Sequence, residues 1–127
     1  MEEFIMSIEI TNNYIRKKSS EPDFEENNFF KGYYLNVMRQ DVGVDYIEME
    51  SGHQFYQKEA KSIHIYYVLD GKGVACINEH KYGIEQGDII EIPINTEFAF
   101  KGKLKMIEIM NPPFDMNTHT NTRINDL

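Results

Sequence analysis

Short β-type segments, separated by turn-forming residues at intervals of about 8–12 positions, constrain this chain more than any other feature. From residue 33 onward, apolar residues run or alternate along the segments 33–38, 44–50, 62–69, 74–77, 89–92, 97–101 and 104–110. Turn-prone residues separate these segments, among them Gly43, Gly52, Gly71, Gly87 and Gly102. No amphipathic helix pattern lies between them. This regular spacing predicts an all-β sandwich or barrel.

The two ends of the chain differ from this central part. Residues 6–11 alternate between apolar and polar side chains, which predicts a short N-terminal strand. Residues after Pro113 are polar, and we expect them to be loosely ordered. The sequence therefore predicts a single domain, with an N-terminal strand and linker (1–24), a barrel (25–113) and a polar C-terminal tail (114–127).

Charge and cysteine content limit the partners and the compartment. The chain has 13 Lys and Arg against 21 Asp and Glu, a net charge of −8, so we expect no attraction to nucleic acids or anionic membranes. The single cysteine, Cys76, excludes an intramolecular disulfide, which fits a reducing compartment. Neither a secretion signal nor an apolar run of the ~18 residues that span a membrane is present. We expect a cytoplasmic protein.

Two motifs anchored by glycines occupy residues 52–102. The first motif has the consensus residues Gly, His, His, Glu and Gly at five fixed positions. In this sequence the five positions hold, in the same order, Gly52, Lys58, Ala60, His64 and Gly71. The second motif has the consensus residues Gly, Pro, Gly, His and Asn. In this sequence the corresponding positions hold, in the same order, Gly87, Pro93, Asn95, Phe98 and Gly102. In glycine spacing and apolar pattern these residues resemble the cupin family. The resemblance implies the cupin double-stranded β-helix, or jelly-roll barrel.

The positions at which the family binds a metal ion have changed here. They hold Lys58, Ala60, His64 and Phe98. A protonated lysine amine cannot coordinate a metal, and alanine and phenylalanine have no donor atom. A catalytic zinc or iron site needs about three protein ligands. We therefore expect no metal and no cofactor, and the metal-dependent reactions of the family are not carried over.

The resemblance also predicts a pocket inside the barrel. It places His64 there, and the period of two along a strand puts Tyr66 on the same face. Lys58 would complete a polar wall and Phe98 an apolar floor, so that all four residues bind the ligand. A lysine buried beside a histidine is costly without an anion, which indicates a small polar or anionic ligand such as a sugar derivative. Alternatively, these are satisfied core groups and Lys58 points to solvent.

Three functions remain open at this stage. The leading hypothesis is a metal-free cupin that binds a small-molecule ligand. The second is a metal-independent sugar or sugar-nucleotide isomerase or epimerase with His64 and Tyr66 as catalytic residues, although no carboxylate can be placed behind His64. The third is a structural or partner-binding barrel filled by Tyr66, Phe98 and Phe100. We also expect a homodimer, because a strand at residues 6–11 needs a sheet edge to join.

Overall fold

The computed structural model describes residues 14–35, 37 and 39–127, so the strand predicted over residues 6–11 lies outside the described residues. The regular structure of this part of the chain consists of strands: β1 (Phe24–Glu26), β2 (Phe30–Tyr34), β3 (Gly43–Met49), β4 (Phe55–Glu59), β5 (Ile63–Ile77), β6 (His80–Glu85), β7 (Ile89–Ile92), β8 (Phe98–Asn111) and β9 (His119–Ile124). None of the described residues form a helix that could cross a membrane.

The strands form one curled antiparallel sheet, in which β5 and β8 run through both halves. They pair along almost their whole length, from Ile63 opposite Asn111 to Ile77 opposite Phe98. In one half, β3 extends the sheet beyond β8 and carries β2 and β1, while β7 pairs with β5. In the other half, β4 pairs with β8 and carries β9, while β6 pairs with β5. This arrangement is the jelly-roll barrel that the sequence predicts.

Glycines let β5 and β8 continue past each other where the two halves meet. Gly73 lies opposite Gly102, whose φ is 128°, and a Cβ added to Gly102 would come within 2.8 Å of the Gly73 Cα. That distance is too short for any side chain, so this crossing requires glycine. A register shift between Val68 and Asp70 adds a bulge beside it. The strands therefore bend here without ending.

The inner face of the sheet forms the core. The fully buried members share aliphatic or aromatic side chains that alternate along β5 and β8: Tyr66, Val68, Phe98, Phe100, Leu104 and Met106. Ile47 and Met49 from β3 pack against them, together with Ile90 and Ile92 from β7. Burial of this apolar surface is the main force that closes the barrel.

The predicted all-β cupin-like architecture is confirmed, and its local details need two corrections. The turns predicted at Gly71 and Gly102 are wrong, because both glycines lie inside continuous strands. The segment 114–127 is not a loose tail, because it contains β9, which pairs with β4 from Phe55 opposite Ile124 to Glu59 opposite His119. Pairing between distant strands overrides the polar composition of this segment.

Candidate functional site

A cavity of about 540 Å³ lies against the inner face of β3, β5 and β8. This volume lies within the range typical of small-molecule sites. Exposed lining residues, Glu25, Tyr34, Val37 and Phe114, mark where the cavity meets solvent. The deeper lining is polar and buried: Asp45, His53, His64, Tyr66 and Glu108. The barrel thus has a packed apolar part and a hollow part with ionisable groups.

Strand register brings three of these polar groups into one row. Asp45 on β3 lies opposite Glu108 on β8, and Glu108 lies opposite Tyr66 on β5. Directly opposed residues on one face of a sheet have Cβ atoms about 4.5–5.5 Å apart, so their side chains touch. His64 lies two residues before Tyr66 and points to the same face. The four side chains therefore form a cluster.

His64 is held at one ring nitrogen by a carboxylate. Its Nδ1 lies 2.9 Å from Oε2 of Glu108 and 3.2 Å from the Tyr66 hydroxyl. Burial acts to raise the pKa of Glu108, but the hydrogen bond and charge interaction with His64 outweigh it and hold this pKa below its ordinary value. Glu108 is therefore the acceptor and the His64 Nδ1–H the donor. The tautomer assigned by this network leaves Nε2 as the basic nitrogen.

The surroundings of Glu108 favour the protonated forms of its neighbours. Burial and the charge of Glu108 raise the pKa of Asp45 to about 7, so near neutral pH about half of the Asp45 carboxyl groups carry a proton that can be donated to Glu108. Burial, followed by Glu108, raises the pKa of Tyr66 well above its ordinary value. Glu108 thus accepts hydrogen bonds from His64 and Tyr66, and from Asp45 when that carboxyl group is protonated. Such a network fixes the orientation of each member.

A second histidine–carboxylate pair lies beside the first. Nδ1 of His119 on β9 is 2.5 Å from Oε1 of Glu59 on β4, and its Nε2 is 3.0 Å from the Asn121 side chain. The same Glu59 oxygen lies 4.0 Å from Nε2 of His64. Within the described residues, Glu59 Oε2 and His64 Nε2 are the buried side-chain polar atoms without a hydrogen-bond partner. Unpartnered buried polar atoms are rare and often belong to functional sites.

His53, the remaining buried histidine of the cavity, has a structural role. Its Nδ1 accepts a hydrogen bond of 3.1 Å from the backbone N–H of Phe100, and its ring stacks on the Phe100 ring at 5.2 Å. Burial lowers the pKa of His53 to about 4. A neutral His53 keeps this acceptor, so it ties the Gly52–His53 segment to β8.

The structure places the four predicted site residues differently. His64 and Tyr66 line the cavity, as expected. Phe98 is fully buried and packs against the His64 ring at 5.8 Å, but it does not line the cavity. Lys58 is exposed and lies outside the cavity, so its predicted inward position is wrong. Alternation along β4 is unbroken: Gln57 lines the cavity and Glu59 is buried, so Lys58 lies on the opposite face of the strand.

Sequence reasoning missed Asp45, Glu59, Glu108 and His119. Glu108 had a readable signal, because it occupies an inward position in the alternation of Leu104, Met106 and Met110. Asp45 has the same relation to Ile47 and Met49 on β3. A charged residue in the apolar phase of a strand indicates a buried functional group. Glu59 and His119 had no such signal, because their pairing depends on where β9 docks.

The cluster lacks the arrangement of a metal centre. In the part of the chain that the structure describes, no group of three or more His, Cys, Asp or Glu side chains is placed to hold a metal ion. Of the two histidines nearest to Glu59, His64 is committed to Glu108 through Nδ1, and His119 uses both ring nitrogens. The described contacts are those of hydrogen-bonded acid–base groups.

Comparison with known proteins supports the architecture. No family model matches the chain. An uncharacterized protein of Methanocaldococcus jannaschii is 30% identical over 76 residues, which cover 57% of this chain and 55% of that protein, so the chain spans about half the length of this curated relative. The cupin domain of Schizosaccharomyces pombe Cnp3 superposes with a TM-score of 0.58 at 17% identity, over 70% of this chain and 69% of that one. The chain therefore has the cupin fold.

Pac13, described as a unique nucleoside dehydratase, superposes with a TM-score of 0.77 at 22% identity, over 85% of this chain and 91% of that one. Streptomyces Pac13 variants with a histidine replaced by glutamine, or a tyrosine by phenylalanine, have been solved with uridine. KdgF from Halomonas superposes with a TM-score of 0.66 at 15% identity, over 75% of this chain and 88% of that one. At these identities the likeness establishes the fold alone.

Proposed function

We propose that this protein is an acid–base enzyme that binds a small hydroxylated carbonyl compound in the cavity and removes a proton from it. The observation that carries this proposal is the state of His64. Its Nδ1 is held by Glu108 at 2.9 Å, while its Nε2 is buried and unpartnered beside the cavity. A histidine oriented by a carboxylate and free at its second nitrogen is the usual form of a general base.

The proposed step is proton abstraction from a carbon next to a carbonyl group. The proton moves to His64 Nε2, and the electron pair of the C–H bond delocalises into the carbonyl as an enolate. The imidazolium that forms is stabilised by the Glu108 carboxylate, which already accepts the Nδ1–H. Tyr66 is a hydrogen-bond donor on the same face, and so is Asp45 in the molecules in which it is protonated, about half of them near its pKa of about 7.

Two outcomes follow from this common first step. If a hydroxyl group on the next carbon leaves with a proton from an acid of the site, the product is water and an unsaturated carbonyl compound. If the proton instead returns to the opposite face of the same carbon, the result is epimerisation, and if it returns to another carbon, the result is isomerisation. The likeness to a nucleoside dehydratase favours elimination of water from a nucleoside or sugar derivative. The hollow interior counts against a filled, purely structural barrel.

Solvent deuterium incorporation tests the proposal. Hydroxylated aldehydes and ketones, including aldoses, ketoses and nucleosides oxidised to a carbonyl on the sugar, are incubated with the protein in D₂O and followed by NMR. We expect C–H exchange or loss of water with at least one probe. His64→Gln should lose about 10²–10⁴-fold of this rate. The matched control is His80→Gln, because His80 is exposed at the β6 hairpin. Equal rates in His64→Gln and the native protein would contradict the assignment of the base.

A further inference from the structure

The lining of the cavity carries acidic groups but no lysine or arginine in the part of the chain that the structure describes. Among the lining residues that the structure describes there is no lysine and no arginine, while Glu25, Glu26, Asp45 and Glu108 are all present. Residues 1–13, Asn36 and Met38, which lie outside the description, contain no lysine or arginine either. No basic side chain from those positions can therefore complete the site.

The cations in the surrounding segments are directed elsewhere. Arg39 forms an ion pair with Asp41 at 2.7 Å, and its side chain is 74% exposed. The Lys18 amine lies 4.1 Å from the ring centroid of Tyr33, which is not a lining residue. Lys58 is exposed on β4, outside the cavity. An anion that entered the cavity would thus meet carboxylates and no lysine or arginine. Two of the lining histidines are already paired with carboxylates, His64 with Glu108 and His119 with Glu59.

A part of the cavity lining is aromatic. Phe24, Phe30, Tyr34 and Phe114 line it, and the rings of Phe24 and Tyr34 lie 5.4 Å apart. Tyr34 and Phe114 are each 48% exposed, so their rings are available to a ligand at the mouth. A flat, uncharged ring can pack against such side chains. The cavity therefore offers an aromatic surface at the mouth and hydrogen-bonding groups at its inner end.

We infer that the cavity takes an uncharged nucleoside-like ligand, with its ring system against the aromatic side chains at the mouth and its hydroxylated sugar at the His64 end, and that it rejects the phosphorylated form. This inference rests on the proposed function, because it concerns the same cavity. A phosphate group would lose hydration and be repelled by the carboxylates, with no lysine or arginine to offset either effect. The anionic ligand expected from the sequence depended on an inward Lys58, which the structure does not show.

Paired titrations test this inference. Uridine and uridine 5′-monophosphate, and likewise adenosine and adenosine 5′-monophosphate, are titrated calorimetrically into the 127-residue protein at low and high salt. We expect at least one nucleoside to bind about tenfold or more tightly than its monophosphate, a difference of about 1.4 kcal/mol, which shrinks as salt screens the repulsion. Equal or tighter binding of the monophosphates overturns the inference, and so does failure of both nucleosides to bind.

A charge placed at the mouth sharpens the test. Val37 lines the cavity and is 42% exposed, so Val37→Lys should be tolerated and should narrow the gap between nucleoside and monophosphate. Tyr82→Lys, on the distant and exposed part of β6, adds the same charge and should leave the gap unchanged. A gap that Val37→Lys does not alter contradicts the electrostatic cause. These binding results are independent of the proposed function, which fails separately if His64→Gln keeps its exchange rate.

Discussion

One cross-strand row of β3, β8 and β5 is inverted relative to an ordinary half-buried sheet. On the inner face the aligned row is Asp45, Glu108 and Tyr66, whereas the adjacent outer row is Tyr46, Ile107 and Tyr67. A sheet with one solvated face normally points apolar residues inward and polar residues outward. Here two carboxylates lie in the interior and apolar residues lie outside. The comparison shows that the same strands can carry a candidate functional site on their inner face and an apolar contact surface on their outer face.

The outer row continues onto β7 and forms an exposed apolar patch. Ile89 pairs with Tyr67 and is 68% exposed, and Ile109 in the neighbouring row is 38% exposed. Contiguous apolar surface of this kind is typical of contacts between protein molecules. We propose that the homodimer expected from the sequence uses this face, either alone or together with the N-terminal segment.

The largest expected effect comes from breaking the inner row at its centre. Glu108→Gln keeps the shape of the side chain but removes the charge that orients and stabilises His64. We expect the deuterium-exchange rate to fall by about 10²-fold or more, while nucleoside affinity changes little. The control is Glu91→Gln on the exposed face of β7. If the affinity for the nucleoside falls and the rate at saturation does not, Glu108 binds ligand and does not act through His64.

The outer row is tested by adding charge to it. Tyr67→Lys combined with Ile89→Lys should convert a dimer of about 30 kDa, twice the 15.0 kDa chain, into a monomer. Light scattering at tens of micromolar protein measures this change, and Tyr82→Lys is the control on the other half of the barrel. A native protein that runs as a monomer would refute the dimer itself. A variant that remains dimeric would show that the dimer interface lies on another surface.

The inner row also predicts how stability depends on pH. The pKa of Asp45 is about 7 in the folded protein, against an ordinary value of 3.8. Between these two values the folded protein holds more of this proton than the unfolded chain does. The contribution of Asp45 therefore makes the free energy of unfolding fall as the pH rises from about 4 to 7. His53 acts oppositely, because its pKa of about 4 makes stability fall as pH drops from about 6.5 to 4. The two contributions oppose each other in the shared window.

In the Asp45→Asn variant the pH dependence of stability should therefore follow His53, because the opposing contribution of Asp45 is removed. We expect the variant to gain about 1–2 kcal/mol of stability relative to the native protein between pH 4 and 7, a range that allows for screening by water in the cavity. Urea unfolding at several pH values measures this, and Asp70→Asn, at an exposed position of β5, is the control. Parallel stability curves for Asp45→Asn and the native protein would contradict the raised pKa of Asp45.

The smallest effect is expected at the residue that the sequence placed in the pocket. Lys58→Ala should change nucleoside affinity by less than about twofold, because the Lys58 side chain is exposed outside the cavity and solvent screens its charge. Calorimetric titration with uridine and adenosine measures this. A tenfold or larger loss of affinity would show that Lys58 contributes to ligand binding, as the sequence predicts.

The parts of the site that were predicted are those fixed by local periodicity. His64 and Tyr66 are two residues apart on one strand, so their shared face follows from the geometry of a strand alone. The glycine spacing around them was also sufficient for the cupin fold. The error at Lys58 came from the phase of the motif alignment, which assigned the inner face of β4 to Lys58, whereas its neighbours Gln57 and Glu59 occupy that face.

By itself, the sequence determined the all-β class, the presence of His64 and Tyr66 on one face, and the loss of the usual metal-binding side chains. The tertiary structure decided which carboxylates serve them. Glu108 reaches His64 because β8 pairs with β5, and Glu59 meets His119 because the C-terminal strand docks on β4. Pairing partners that are 44 or 60 residues apart depend on the packing of the whole barrel, which no short sequence pattern encodes.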